Sequence, residues 1–518
     1  MKKSPKKLKI SAGEFEALQD RIKERNLTDS DYDVLLGLAE TVARLREVLA
    51  EKETSIGRLC KYLLGAPTET ARNILKDKTE PVRKKGDKPN PRGHGKNGAG
   101  QYTGAARVRI AHPALNSGDP CPSCEKGKLY ELAMPSVFVH IVGTAPLKAT
   151  VYERIRLRCN LCGDIFTPEL PEGVSEQKYD DSATPMLAIL KYGCGMPFNR
   201  IETLQRNLGQ PLPASTQWDI LDTAAVALAP VMDAMVSFAA QGTLLHNDDT
   251  SAKVLAFLKE QDPDSKRKGI FTTGMVTESE GHQVAMFMTG RQHAGENLHD
   301  LLKRRATGLP PPIQMCDALS RNVSKDFQTI LANCLAHARR KFVELVDRFP
   351  DDCAHVINEL ATVYMHEAIA RTEKMSPEDR LAYHRLNTEP VMTALEAWCH
   401  QQFAEKTVEP NSGLGKAITY LLKHWKELTC FLKVPGAPLD NNICERALKF
   451  AILHRKNSLF YKTQRGAYVG DLFMSLIHTC QLSGVNPLDY LTWLLKNTKP
   501  LQTSPHTFMP WHYQDQNR

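Results

Sequence analysis

Between residues 243 and 320 the chain passes through three β-like segments, a helical stretch and a fourth apolar run, and this succession restricts the fold more than any other feature. The segments are "TLLHNDD", "GIFTTGMVT" from Gly269 and "HQVAMFMTG" from His282, parted by the turn-like "QDPDSKRKG" and "ESEG". "HAGENLHDLLKRR" then reads as a helix, and "PIQMCDALS" as a further strand. Two of these runs end on acids. Asp248, with Asp249 beside it, closes the first, where the chain is expected to leave a strand, and Asp317 closes the fourth.

Three meandering strands, a helix and another strand resemble the opening of a ribonuclease-H-like fold, which sets acids at the ends of its first and fourth strands. That order pairs Asp248 with Asp317. Two carboxylates brought together repel and raise each other's pKa unless a cation lies between them. Mg²⁺ meets that need, because it takes oxygen ligands, keeps waters, and in pairs about 4 Å apart clamps the attacking and leaving oxygens of a phosphodiester. A pair of ions wants a third carboxylate. "GAPLDNNICERALKFAILHRKN" offers Glu445 in the first turns of a helix N-capped by Asp440 or Asn441, with Arg446 beside it and Lys449 four residues on. On spacing alone, a surface helix pairing Glu445 with Lys449 accounts for the same letters.

Outside this region the sequence changes character several times. From Leu35 the apolar residues step in threes and fours through Leu38, Val42, Leu45 and Leu49, pause at Lys52, and resume at Ile56, Leu59 and Leu63. This is a heptad seam, readable as one amphipathic helix or as a coiled-coil dimer in which Lys52 discourages other registers. A Gly- and Pro-rich stretch follows, with eight Lys/Arg between Arg83 and Arg109 against one acid, Asp87. Such a composition cannot bury a core, so it is a tether or a basic arm that orders on a polyanion, with Arg83, Lys84, Lys85, Arg92 and Lys96 as its phosphate contacts. Next come "CPSC" and "CNLC", separated by β-like runs. Cys121, Cys124, Cys159 and Cys162 supply four thiolates for a tetrahedral Zn²⁺, and four protein ligands make such a zinc structural. The 34 residues between the knuckles exceed the usual spacing, which a β-ribbon can close.

From 182 to 240 the pattern is helical, and "NRIETLQRNLGQPLPASTQWDIL" reads as two helices about a Gly/Pro turn with Ser215 as cap, either a helix-turn-helix or a hairpin packed on the next domain. Between Asp317 and Glu445 a long helical stretch is expected. There, Cys334 falls on the apolar stripe of Leu331, Leu335, Ala338 and Phe342, which suits packing. His337 and Arg339 face DNA or the active site in this reading, and the pair Cys334 and His337 alone is too few ligands for a metal. After Glu445, His454, Arg455, Lys456, Lys462 and Arg465 alternate with Phe460 and Tyr461, which suits phosphate neutralisation and base stacking, or a solvated loop.

These stretches together resemble the transposases of the insertion-sequence-66 family over nearly the whole chain. The heptads are similar to its leucine-zipper-like segment, "GHGKNGAGQYTGA" to its basic Gly-rich stretch, and "CPSC" with "CNLC" to its zinc-binding domain. "HNDDT", "TGRQHAGENL", "QMCDALSRN", "CLAHARRKF" and "PLDNNICERALKFAILHRKNSLFYKTQRGA" resemble its catalytic and C-terminal blocks. The resemblance implies an Asp-Asp-Glu triad of Asp248, Asp317 and Glu445 holding Mg²⁺ or Mn²⁺. Many members read H-x-D-E-T at the doublet, so Asp249 is expected to cap a turn or hold a water beside the ligand; the reverse assignment of the two aspartates remains open.

The expected fold is multidomain α+β. It comprises a helical, leucine-zipper-like segment over 1–75, a basic linker over 76–110, a small zinc ribbon over 111–172 and a helical DNA-binding or connecting region over 173–240. A ribonuclease-H-like α/β catalytic core over 241–330 follows, interrupted by a helical insertion over 331–437 and completed over 438–470, before a helical C-terminus over 471–518. The resemblance implies a DNA transposase that binds the inverted ends of its element, cuts a strand and joins it to target DNA. It implies DNA as partner and accessory proteins from the same element, and the zipper predicts a homodimer or larger assembly. A nuclease or resolvase without strand transfer, and a non-catalytic regulator descended from a transposase, are the rival readings. No run approaches the roughly 20 apolar residues that cross a bilayer, the start "MKKSPKKLKI" lacks an apolar stretch after its charges, and C-x-x-C pairs suit a reducing compartment. A cytoplasmic, nucleoid-associated protein without a membrane segment is expected. The net charge of +8 is modest, and most of the excess lies early in the chain.

Overall fold

The computed structural model describes residues 18, 20–23, 27–32, 34–35, 100, 105–124, 126–132, 136–160, 162, 164–259, 269–324 and 326–516. The heptad seam beyond Leu35, and Arg83, Lys84, Lys85, Arg92 and Lys96, lie outside these residues. The chain divides into two compact units, Met1–Thr79 and Glu80–Arg518. In the first, Arg21 donates to both carboxylate oxygens of Asp31 at 2.7 and 3.0 Å, and the Thr28 N–H and hydroxyl donate to the same carboxylate.

The second unit opens on the two knuckles, where β1 (Leu157–Arg158) and β2 (Ile165–Phe166) pair antiparallel. Three helices follow: α1 (Ala183–Ala188), which runs into a π-helical turn at Ile189–Gly193, α2 (Phe198–Asn207) and α3 (Ala214–Ala239). The expected Ser215 cap is not used. Helix α3 starts two residues earlier, with Pro213 as N-cap, and the Ala214 N–H donates to Glu202 of α2 at 3.2 Å. By length and mean hydropathy α3 could cross a membrane. Here its buried face, including Leu221, Leu228, Val231 and Met235, lies in the main core.

A five-stranded mixed sheet carries the unit. Its strands are β3 (Leu244–Ser251), β4 (Phe271–Ser279), β5 (His282–Gly290), β6 (Ile313–Cys316) and β7 (Ile330–Asn333), in the spatial order β5-β4-β3-β6-β7. The first three form an antiparallel meander, and β6 and β7 add in parallel on the other side of β3. Helix α4 (Ala294–Leu302) makes the crossover from β5 to β6. The meander and crossover match the sequence expectation, but β3 runs on through both aspartates to Ser251, because β4 pairs with it as far as Phe271.

Five longer helices then separate β7 from the last part of the sheet's cover: α5 (Leu335–Val343), α6 (Pro350–Thr372), α7 (Pro377–Asn387), α8 (Glu389–Ala404) and α9 (Gly413–Lys423). Ser376 and Ser412 cap α7 and α9 by accepting from the Asp379 and Gly415 N–H groups, which satisfies otherwise orphaned donors. A buried carboxylate ties the group together. Glu367 of α6 accepts from Arg371 and Arg380 and lies 3.0 Å from His384 Nε2 of α7.

The chain returns to the sheet in α10 (Asn442–Ser458) and α11 (Gln464–Leu482), followed by α12 (Pro487–Lys496). Helix α11 closes the edge of the sheet. Its Asp471, Ser475 and Thr479, four residues apart and therefore on one face, accept the N–H groups of Thr289, Phe287 and Ala285 at 2.6, 3.0 and 3.1 Å. Among the described residues these β5 donors meet no further strand, and covering them removes an open pairing edge. Two expected boundaries fall inside elements: 330/331 cuts β7, and 470/471 cuts α11.

Candidate active site

A strand presents successive side chains to opposite faces of its sheet, so Asp248 and Asp249 cannot serve one site together. Asp248 pairs across β4 with Gly274, and Asp249 with Thr273. Gly274 lies under α10: a Cβ built there would come within 2.8 Å of Leu448 Cδ2, and the Cys444 thiol donates to the Gly274 carbonyl at 3.2 Å. Thr273 lies under α4, whose Asn297 donates to its hydroxyl at 2.7 Å. Asp248 therefore faces the helix that carries Glu445, and Asp249 faces away from it.

On its own face the Asp249 carboxylate is buried, 2.9 Å from His293 Nδ1 and 3.2 Å from Arg321 Nη2. His293 is the N-cap of α4, in a capping box with Glu296. Asp249 thus ties the central strand to the start of α4 and to the short 3₁₀ turn Ser320–Asn322. It neither caps the helix itself, since His293 is the N-cap, nor shares the face of Asp248.

Asp317 follows β6 directly, one strand over from β3. Asn322 joins the two acids: its Nδ2 donates to Asp248 Oδ1 at 3.2 Å and to Asp317 Oδ1 at 2.5 Å. Its own carbonyl accepts from Asn247 and Gln314, both fully buried, so the turn is held from beneath. Burial, and then the charge of Asp317, pushes the Asp248 carboxyl up to about 7, against the Asp249 N–H and Asn322, which hold it down. Burial is the larger cause and the neighbouring Asp317 charge the second, and both disfavour the ionised form. Hard oxygen donors under such strain fit a divalent cation such as Mg²⁺. Sequence reasoning missed Asn322, although "QMCDALSRN" contains it; the signal was an amide five residues after an acid, at the end of a tight turn.

Glu445 lies in the first turn of α10, and Asn441 is the N-cap. Of the two expected caps, Asp440 accepts the first helical N–H, that of Asn442, at 3.1 Å, while the Asn441 side chain turns to the strand. Its Nδ2 donates to the Asn247 carbonyl at 3.1 Å, and its Oδ1 lies 3.0 Å from His246 Nδ1, so the helix start is fastened to β3 next to Asp248. Lys449 is exposed, and the ionic neighbour of Glu445 is His337 Nδ1 at 3.8 Å rather than that lysine. Among the described residues, the group whose ligand atoms all lie within 4.8 Å of one another is Cys334, His337 and Glu445. Asp248, Asp317 and Glu445 are not gathered that closely.

Of the expected DNA contacts, Arg339 is half-buried on α5. Helix α10 runs to Ser458, so His454, Arg455 and Lys456 sit on it and not in a loop. His454 is buried 3.1 Å from Lys191 Nζ, and burial followed by that charge holds its imidazole down at about 3. Arg455 donates to Thr250 and Ser251 at the end of β3, and Arg465 donates to Asp222 of α3 at 2.6 Å. Lys456 and Lys462 are exposed.

The knuckles fold as two tight turns, with Cys121 N–H donating to the Gly127 carbonyl at 2.8 Å and Cys159 N–H to that of Asp164 at 2.9 Å. Backbone N–H groups of Gly127 and Lys126, with Cys121, hold the Cys124 thiol below its ordinary value, as at a metal-binding turn. The structure does not bring Cys121, Cys124, Cys159 and Cys162 into one cluster within 4.8 Å.

Comparison with known proteins adds the following. A family model described as "Transposase IS66 family" matches residues 178–469, more than half of the chain and the whole of the sheet with its acids. Three curated proteins of Sinorhizobium fredii are similar, each carrying the name "Uncharacterized protein". With y4jD the chain is 25% identical over 517 residues, covering 92% of this chain and 97% of the relative. With y4hP it is 26% identical over 380 residues, covering 67% and 66%, and with y4qI 25% identical over 351 residues, covering 63% and 61%.

Proposed function

Because the chain belongs to the IS66 family of transposases, we propose that it is a DNA transposase that binds the terminal inverted repeats of its element, cuts a strand and transfers it to target DNA. The observation that carries this reading is the pair Asp248 and Asp317, joined through Asn322 on adjacent strands, with the helix of Glu445 fastened over Asp248. A three-stranded meander extended by two parallel strands supports a ribonuclease-H-like core.

Asp248, Asp317 and Glu445 would hold Mg²⁺ or Mn²⁺. When bound, the ions supply charge neutralisation and polarise water and the phosphate oxygens. The chain's own residues supply position. Asn322 sets the separation of the two aspartates, Asn247 and Gln314 fix Asn322, and Asp249 with His293 and Arg321 holds the strand and turn from the far face. Hydrolysis at the element's end frees a 3'-hydroxyl, which then attacks a phosphodiester of target DNA in line. Positioning of this kind lowers the barrier without a covalent protein intermediate.

Zn²⁺ at Cys121, Cys124, Cys159 and Cys162 would gather the knuckles into a ribbon. Lys456 and Lys462 remain open to phosphate, together with Arg83, Lys84, Lys85, Arg92 and Lys96 of the basic stretch. The heptad seam would pair two chains on the two DNA ends, in the cytoplasm of the cell that carries the element, with accessory proteins of the same element as further partners.

The test is nicking and joining of labelled DNA carrying the element's own ends, with Mg²⁺ or Mn²⁺. Asp248→Asn, Asp317→Asn and Glu445→Gln are expected to bind DNA and lose both steps, whereas Asp249→Asn loses stability first. Wild-type protein that hydrolyses ends but never joins them would reduce the reading to a nuclease. Binding with no cutting, accessory proteins included, would make it a regulator.

A further inference from the structure

We propose that Cys334, His337 and Glu445 form a second metal site, suited to a transition ion such as Zn²⁺, and that an ion held there withholds Glu445 from the Mg²⁺ ligand set. The second half rests on the transposase reading; the first does not.

The pair Cys334 and His337 is too small for a site by itself, and the fold supplies the third ligand from the far end of the helical insertion. Cys334 is the N-cap of α5 and His337 is its third helical residue. Side chains at these two positions meet on one side of a helix's first turn, the geometry that a capping box uses. The His337 backbone N–H donates to the Cys334 carbonyl at 3.2 Å and closes that turn. Glu445 arrives from the first turn of α10, and two bonds donated by backbone N–H groups, one to a carbonyl and one to the Cys334 sulfur, lock the starts of both helices together. Leu335 N–H donates to the Leu439 carbonyl at 3.0 Å, and Asn441 N–H to Cys334 Sγ at 3.3 Å.

The three ligand atoms lie within 4.8 Å of one another. His337 Nδ1 and Glu445 Oε1 face each other at 3.8 Å, too far apart for a hydrogen bond, and both atoms are buried without any hydrogen-bond partner. Two orphaned polar atoms so near each other are costly unless something sits between them. Tetrahedral Zn²⁺, with bonds of about 2.0–2.3 Å, holds its ligand atoms about 3.3–3.8 Å apart, so small side-chain movements would complete the set. The donors also select the ion. A thiolate with an imidazole favours zinc-like metals and is a poor ligand for Mg²⁺. Binding exchanges the thiol proton for the metal and releases it to solvent, and three protein ligands leave one position open for water. Glu445 is then the shared member of two sets: thiolate and imidazole on one side, Asp248 and Asp317 on the other.

The experiment uses full-length protein. Metal-free chain is titrated with Co²⁺ and followed by thiolate-to-cobalt charge-transfer absorption, in a Cys121→Ser, Cys159→Ser background that disables the knuckles. That background is expected to keep a thiolate band, and adding Cys334→Ser is expected to abolish it. Serine keeps an acceptor for the Asn441 N–H; if the melting curve shows that it does not fold, His337→Ala, at a half-buried position, takes its place and must weaken the band. No band in the knuckle background, or a band unaffected by these substitutions, overturns the site. In parallel, nicking with Mg²⁺ is measured against added Zn²⁺ for wild type and Cys334→Ser. Both are expected to nick without Zn²⁺, and half-inhibition of Cys334→Ser is expected to need about tenfold more Zn²⁺ or higher. Equal inhibition overturns the withholding of Glu445. Absence of nicking in every protein overturns the transposase reading and the withholding with it, while the cobalt band still decides the site.

Discussion

At the scale of single residues, strand parity is enough to tell the two aspartates of the doublet apart: it sends Asp248 towards α10 and Asp249 towards α4. The sequence marked both acids and Asp317, because carboxylates closing apolar runs are unusual. Asn322 was not marked, since an amide in a turn is ordinary and only its two contacts make it otherwise. Removing it leaves the carboxylates of Asp248 and Asp317 without the donor between them. Asn322→Ala is therefore expected to lower nicking about a hundredfold and to raise the Mg²⁺ concentration needed, through lost positioning. Nicking of that variant against Mg²⁺ concentration checks this, and a curve matching wild type would remove Asn322 from the account.

Among the elements, those with a strong internal pattern were legible: the three meander strands, α4, and the helix of Glu445. Strand β7 was not, because "ILAN" is four residues with no alternation, and only its parallel pairing with β6 makes it a strand. The helical insertion was legible as helices but not as a packed group. Its binding point is Glu367, whose burial would push the carboxyl up; His384, Arg380 and Arg371 outweigh that and hold it at about 2. A carboxyl depressed in the folded state stabilises above its unfolded pKa, and the contribution is lost as pH falls through the folded value. Stability is thus expected to drop by about 3 kcal/mol between about pH 4.5 and 2, a drop that Glu367→Gln should flatten while already being less stable at neutral pH. Urea unfolding across that pH range measures both, and an unchanged slope in Glu367→Gln would place the linkage elsewhere.

For the whole molecule, the segment before α1 is thinly packed, although Leu147 and Tyr179 reach the main core. Ile110, Phe138, Ile141, Val151 and Ile155 are all largely exposed, and its ladder is two residues long. A segment so thinly packed has little core to hold itself; in the proposed zinc-bound state, four thiolates on one ion would supply folding energy. Chelation, or Cys159→Ser, is expected to open residues 111–172 to limited proteolysis while 183–516 stays resistant; equal resistance with and without metal would argue against a zinc-held ribbon. By itself the sequence determined the local periods, the strand order of the meander, the acids and the paired cysteines, because these are written in neighbouring residues. Only the tertiary structure decided which aspartate faces the helix of Glu445, that Asn322 joins two acids, and that Cys334 and His337 meet a glutamate beyond a helical insertion. Each of those depends on contacts between residues far apart in the chain, and no local pattern encodes where a distant helix will land.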